Sequence, residues 1–321
     1  KVEIMKFRYI MTAAALLGLV ACNENKVFEK EQYKNVFGFI SDTENMNSKV
    51  FSLHKTESEG YLAFSMGGTN NITEDVTVNI VEDPELIETY NRNNYDQEVA
   101  KYAKPMPKDK YEITSMQCVI KAGETGGVIP VKIRPAGLSP DTTYLIPVRV
   151  DTYDRCEINP EKSYLLYKVL IENRWAVGDG TTSYTLRGKR RILGDQSELS
   201  MPGTKILFPL TDKRVRTMVG NEAYAADEET LYRGAMILEI ADNGKVKILP
   251  YRDVEVVQLD NEDPEYPNKF FIEDDGFNTY KTFLLCYQYT FEGVTYVMKE
   301  ELRLQFNPDD EEDYEDTPVE E

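Results

Sequence analysis

The most conspicuous acidic cluster outside the C-terminal acidic run is Glu273-Asp274-Asp275, and it leads directly into Gly276-Phe277-Asn278-Thr279-Tyr280. Carboxylates and an amide exchange hydrogen bonds with hydroxyl groups, and Phe277 or Tyr280 offers a flat apolar face for stacking. That combination suits a polyhydroxylated ligand, with Phe277, Asn278 and Tyr280 as candidate contacts. The simpler reading is a solvated loop at the end of a strand. Two further aromatics invite the same question. Trp175 is the single tryptophan, flanked by Arg174 and Ala176-Val177-Gly178, and is either a stacking platform or packing at a domain junction. Tyr266 lies between Pro264 and Pro267, which stiffen its presentation, with Asp260, Glu262 and Asp263 nearby. Those acids suit calcium or plain solvent, and no metal site is assigned. Asn91, Asn93, Asn94 and Tyr95 form another polar, aromatic stretch, which helix termination also explains.

Composition removes whole classes of chemistry. His54 is the one histidine, so a zinc site or serine-type triad must include it or not exist. It follows a strand pattern and reads as a surface residue. Cys118, Cys156 and Cys286 read as buried free thiols rather than a disulfide framework. Gly67-Gly68-Thr69-Asn70-Asn71 lacks the Lys-Ser/Thr ending of a phosphate loop and reads as a turn. A formal charge of -19 opposes binding to nucleic acid. Much of it sits between Asp309 and Glu321, a run with no Lys or Arg that reads as a disordered tail over 307–321. No catalytic residue and no cofactor is assigned, so the chain reads as a non-enzyme.

From Met5 the order is a basic start (Lys6, Arg8), an apolar run from Tyr9 to Val20, and then Leu19-Val20-Ala21-Cys22. This is the layout of a lipoprotein signal over 1–21, with Cys22 as the lipidated residue and 22–31 as a tether. The apolar run is shorter than the ~20 residues a membrane-spanning helix needs.

The elements that must carry these residues are mostly strands. Short segments rich in β-branched and aromatic residues begin at Val36 and recur through Tyr164 to Ile171, separated by Gly, Asn, Asp and Ser. Asp83-Pro84-Glu85-Leu86 starts one helix that should reach about Asn93. An immunoglobulin-like β-sandwich over 32–173 with one inserted helix follows. From Ser183 the strands lengthen, and Asp242-Asn243-Gly244 and Phe291-Glu292-Gly293 read as hairpin turns. Thr282 to Phe291 is too apolar for an edge strand and belongs centrally. The second domain, 174–306, is read as barrel-like, with a second sandwich left open. The fold class is all-β.

These features in order resemble a known family. The lipobox, Asp83-Pro84-Glu85-Leu86 with Tyr90-Asn91, Pro107 leading to Tyr111, Ile120 with Gly123, and Leu138 before Tyr144-Leu145-Ile146-Pro147-Val148 are one part. Over about 30–172 they resemble a domain of unknown function common in Bacteroidetes surface lipoproteins. Phe283 to Tyr289 and Glu300-Glu301-Leu302 look like its usual C-terminal companion. The resemblance implies a lipoprotein of a polysaccharide-utilisation system. It would be held in the outer membrane by Cys22 and face the cell exterior. It would bind glycan or oligosaccharide without cleaving it, beside a SusC/SusD-like importer or other surface lipoproteins. Relatives are fused to family-18 glycosidases, whose Asp-x-x-Asp-x-Asp-x-Glu pattern is absent here. The rival expectation is a structural or adhesive lipoprotein that binds another protein.

Overall fold

The computed structural model describes residues 33–314. The signal segment, Cys22 and the tether, and residues 315–321, lie outside the described residues. Within them the chain is all-β in two domains, with two α-helices.

The first domain is a sandwich of two sheets. One sheet has the order β10 (Glu157–Ile158), β1 (Val36–Phe39), β3 (Ser58–Gly67), β8 (Gly126–Ile133), β6 (Tyr111–Ile113). The other has the order β12 (Ala176–Val177), β11 (Tyr164–Asn173), β9 (Tyr144–Tyr153), β4 (Val76–Glu82), β7 (Gln117–Ile120). Two strands join it in parallel, β2 (Met46–Ser52) on β11 and β5 (Lys104–Pro105) on β9. Alternate residues fill the space between the sheets, among them Phe37, Leu62, Phe64 and Ile129 from one side and Val78, Ile146, Val148 and Leu165 from the other. The outer face of the second sheet is apolar too, because α1 (Glu85–Tyr95) covers it. Ile87 packs there against Leu145 and Leu166. Buried Asn91 ties the helix down, donating to Ala103 O at 2.9 Å and accepting from Ala103 N at 2.8 Å. The helix starts where expected, with Asp83 Oδ1 accepting from Glu85 N.

The second domain is barrel-like, with its strands in two curled sheets. β13 (Ser183–Ile192) pairs with β14 (Leu199–Ile206) on one side and β22 (Val294–Phe306) on the other. β21 (Thr279–Phe291) follows β22, and then come β19 (Glu255–Gln258) and β20 (Lys269–Asp274). The second sheet has the order β15 (Phe208–Thr211), β16 (Arg214–Met218), β17 (Ala235–Ile240), β18 (Val246–Pro250). At one side the chain crosses between sheets through Leu207, where β14 gives way to β15. At the other, Phe270 N donates to Gly244 O at 2.7 Å and Val246 N to Asn268 O at 2.9 Å. β21 is central, as its apolar sequence demands.

Two departures from the sequence reading bear on the site. A second helix, α2 (Glu228–Gly234), precedes β17, capped by Asp227 Oδ1 on Thr230 N at 2.8 Å. Residues 308–314, assigned to a disordered tail, instead form a short 3-10 helix. Its Glu311 is held between Arg174 and Lys281, so this part of the acidic run has a fixed counter-charge.

The barrel interior alternates Phe283, Leu285, Tyr287 and Tyr289 on β21 with Met298 and Leu302 on β22. A buried ion pair breaks the pattern. Lys205 Nζ lies 2.7 and 2.8 Å from the two carboxylate oxygens of buried Glu300. Tyr287 Oη donates to Glu300 at 3.2 Å and accepts from Gly220 N at 2.8 Å. Burial pushes the Lys205 ammonium down and the Glu300 carboxyl up, and each opposes the shift of the other. Removing one partner leaves a buried charge alone. Lys205→Met should therefore lower stability by about 3–5 kcal/mol, and Lys205→Met with Glu300→Leu should recover most of it. Urea unfolding of the single and double variants measures both.

Candidate functional site

β20 and β21 form a hairpin, with Asp274 opposite Thr279 and Glu273 opposite Tyr280. Its tip is braced by its own carboxylates. Asp275 Oδ1 accepts from Phe277 N at 3.0 Å and Asn278 N at 2.8 Å, and Asp274 Oδ1 accepts from Gly276 N at 2.7 Å. Gly276 has φ +84°, a backbone state that favours glycine. The acids that looked like ligand contacts are thus largely occupied in shaping the turn. Their effect is to hold Phe277 out, with the residue 95% exposed.

Behind Phe277 lies a polar ledge on the outer face of the barrel. Asn278 Oδ1 accepts from Gln305 Nε2 at 2.8 Å. The Arg303 guanidinium lies 3.9 Å above the Tyr280 ring centroid and pairs with Glu273 at 3.2 Å. Arg303 and Gln305 were not singled out from the sequence. The β21–β22 register places them opposite Thr282 and Tyr280.

The structure therefore brings Phe277, Asn278 and Tyr280 together and sets the other two candidates apart. Tyr266 is half-buried in the β19–β20 connection, where its nearest charges include Glu301 and Lys299, farther along β22 from Gln305. Trp175 is 7% exposed and meets Phe270 edge-on at 5.6 Å. It is part of the barrel core and cannot be the exposed stacking platform considered from the sequence. The junction fixes it there. Asn173 Oδ1 accepts from Trp175 N and Ala176 N at 3.1 Å, and Asn173 Nδ2 donates to Thr211 O and Arg214 O.

Other chemistry-bearing residues are placed plainly. His54 pairs with Asp212 across the domains at 3.1 Å. Cys118 and Cys286 are buried and Cys156 half-buried; all three are free, and burial pushes the first two thiols up to about 11. A cleft of about 640 Å³ in the first domain is lined by Asn35, Asn70, Asn71 and Arg155, and has no aromatic wall.

Backbone N–H groups hold the Asp275 carboxyl below the usual carboxylate range, Asn278 first and Phe277 second. A depressed folded pKa means the brace is complete above the free Asp value of ~3.9 and fails only as pH falls through the lower folded value. The amide chemical shifts of Phe277 and Asn278 should stay constant from neutral pH down to about 4.5 and move below ~3.9. Asp275→Asn should weaken that brace and reduce the low-pH step.

A family model for an N-terminal domain matches residues 28–155, and a second, for a C-terminal domain, matches residues 163–303. No curated protein matches the chain in sequence. Among solved structures, a Bacteroides ovatus protein of unknown function is 14% identical, with TM-score 0.61, over 92% of this chain and 98% of that one. A multidomain protein of the same species is 13% identical, with TM-score 0.60, over 84% of this chain and 94% of that one. A Bacteroides thetaiotaomicron protein described as an auxiliary nutrient binding protein is 14% identical, with TM-score 0.58, over 81% and 91%. At these identities the likeness is one of fold. Residues 28–155 and 163–303 thus resemble two family domains in series, and the chain has the fold of the two-domain Bacteroides proteins it is similar to.

Proposed function

We propose that the chain binds glycan, without turnover, on the ledge formed by Phe277, Asn278, Tyr280, Arg303 and Gln305. The observation that carries this is Phe277, 95% exposed on a turn that its neighbours hold rigid. An aromatic ring left in water forgoes about 1.5–3 kcal/mol of burial, which a stacked sugar face would recover in part. The amides of Asn278 and Gln305 and the Arg303 guanidinium lie within reach of ring hydroxyls, which gives orientation. The solved structure described as an auxiliary nutrient binding protein supports a capture role by its shared fold. In this reading Cys22 carries the lipid anchor and the protein stands on the outer face of the outer membrane. It would hand glycan to a SusC/SusD-like importer. Anchoring raises local concentration, so weak single-site affinity is enough.

A second reading, docking of another protein, has its own observation. At the β13–β14 hairpin end Ile192, Leu193 and Leu199 are each about half exposed or more, at 47%, 51% and 64%. Apolar side chains at a strand end suit a protein partner.

Glycan screening by affinity electrophoresis and calorimetry on the chain from Asn23 onward separates the readings. Phe277→Ala and Tyr280→Ala should each weaken glycan binding by roughly three- to tenfold, the ~0.5–1.5 kcal/mol of an aromatic stack. Leu193→Asp should leave it unchanged. Glycan affinity indifferent to both aromatic substitutions, or sugar released during the assay, would defeat the proposal.

A further inference from the structure

On the inner side of the same strand end, Lys281 is buried where the alternation calls for an apolar residue. Its ammonium faces Glu311 and donates to Arg174 O. Arg174 meets the same carboxylate, with Nε 3.0 Å and Nη2 2.9 Å from Glu311 Oε2. Two cations thus converge on one carboxylate, and all three side chains are about 10% exposed. Beside them is a cavity of about 220 Å³, lined also by Trp175, Thr182, Leu304 and Phe306. Trp175 lines that cavity, and its Nε1 is buried without a hydrogen-bond partner, a donor with no acceptor among the described residues.

We propose that Arg174, Lys281 and Trp175 form a carboxylate-binding pocket, filled in cis by Glu311 and opened when the 308–314 segment lifts. Its external ligand is the carboxylate of an acidic sugar such as a uronate. The pocket's taste for a carboxylate stands on its own geometry; naming a sugar rests on the glycan reading above.

Three features favour a displaceable plug over a fixed staple. The segment is 3-10 rather than α, and its helical geometry breaks at Glu311 itself (φ −109°, ψ 24°). Asp309 and Asp310 beside it are exposed, so the described hold on the barrel is the Glu311 side chain. A staple that completed the site would also satisfy Trp175 Nε1, and Glu311 does not. A sugar acid brings what is missing. Its carboxylate replaces that of Glu311, a ring or hydroxyl oxygen accepts from Trp175 Nε1, and its C–H face meets Phe306. Like charge on the adjacent Asp309 and Asp310 then helps the released segment stay clear of the bound anion.

Because Trp175 is the single tryptophan, its emission reports on the cavity directly. The full chain, Glu311→Gln and a chain ending at Asn307 would be titrated with D-glucuronate, with methyl glucoside as the neutral control. Self-occupancy lowers apparent affinity by the fraction of chains that are open, so Glu311→Gln and the shortened chain should bind glucuronate about tenfold or more tighter than the full chain, with a saturable emission change. Lys281→Met in the Glu311→Gln background should abolish that gain, and Phe277→Ala should leave it intact. No emission change in either opened form overturns the pocket. Loss of glucuronate binding through Phe277→Ala but not Lys281→Met also overturns it, by placing the anion on the outer ledge. A failed neutral-glycan screen touches only the ledge.

Discussion

The two domains meet through one buried cation, on which the placing of the junction residues depends. Arg216 on β16 is 1% exposed and reaches out of the barrel to Asp141 of the first domain, with both N–O distances 2.6 Å. A fork-to-fork pair fixes direction as well as distance. Phe208 and Tyr251 lie 5.2 and 4.9 Å from the guanidinium, so its faces are covered by rings rather than water. Asn173 finishes the junction by holding Thr211 and Arg214 of the β15–β16 turn. Without that geometry Trp175 would not be drawn into the barrel end, and Arg174, the next residue along, would not face Lys281.

The period of a strand then divides the work. Along β21, odd positions from Lys281 to Tyr289 point into the barrel and even positions point out. Tyr280 and Lys281 are therefore neighbours in sequence and strangers in environment. One supports an open ledge under Arg303; the other is a cation at the mouth of the core. The two surfaces share a strand end but no side chain. The two proposed sites would therefore respond to substitution independently.

Much of this was legible in the sequence, and the reasons differ residue by residue. The Phe291-Glu292-Gly293 turn fixes the β21–β22 register, since Glu292 and Gly293 take φ 51° and 78° and Phe291 faces Val294. Counting back from that pair alone puts Tyr280 against Gln305, so the ledge was implicit in the hairpin. The α2 helix carried an Asp227 cap signal followed by two glutamates, but its brevity left little periodicity to read. Trp175 was ambiguous because a junction aromatic and an exposed platform look alike until Phe270 is known to lie beneath it. The Arg174–Lys281–Glu311 cluster was not legible. Nothing local links three residues so far apart in the chain, and the acidic composition around Glu311 argued for solvent.

The shape of the ledge also bears on how the proposed shallow site would bind. A flexible loop that closed on a sugar would lose backbone freedom on binding, at about 1–2 kcal/mol per residue ordered. Here folding has already ordered the turn, because Asp274 and Asp275 accept three of its N–H groups and Gly276 takes the conformation that favours glycine. The acids that sequence alone offered as ligand contacts instead preorganise the ring and amide beside them. In the proposed role, what a sugar gained from stacking on Phe277 would then be kept as affinity rather than consumed in ordering the loop. Such a site would remain open to solvent, and exchange its ligand quickly, without ceasing to be specific in shape.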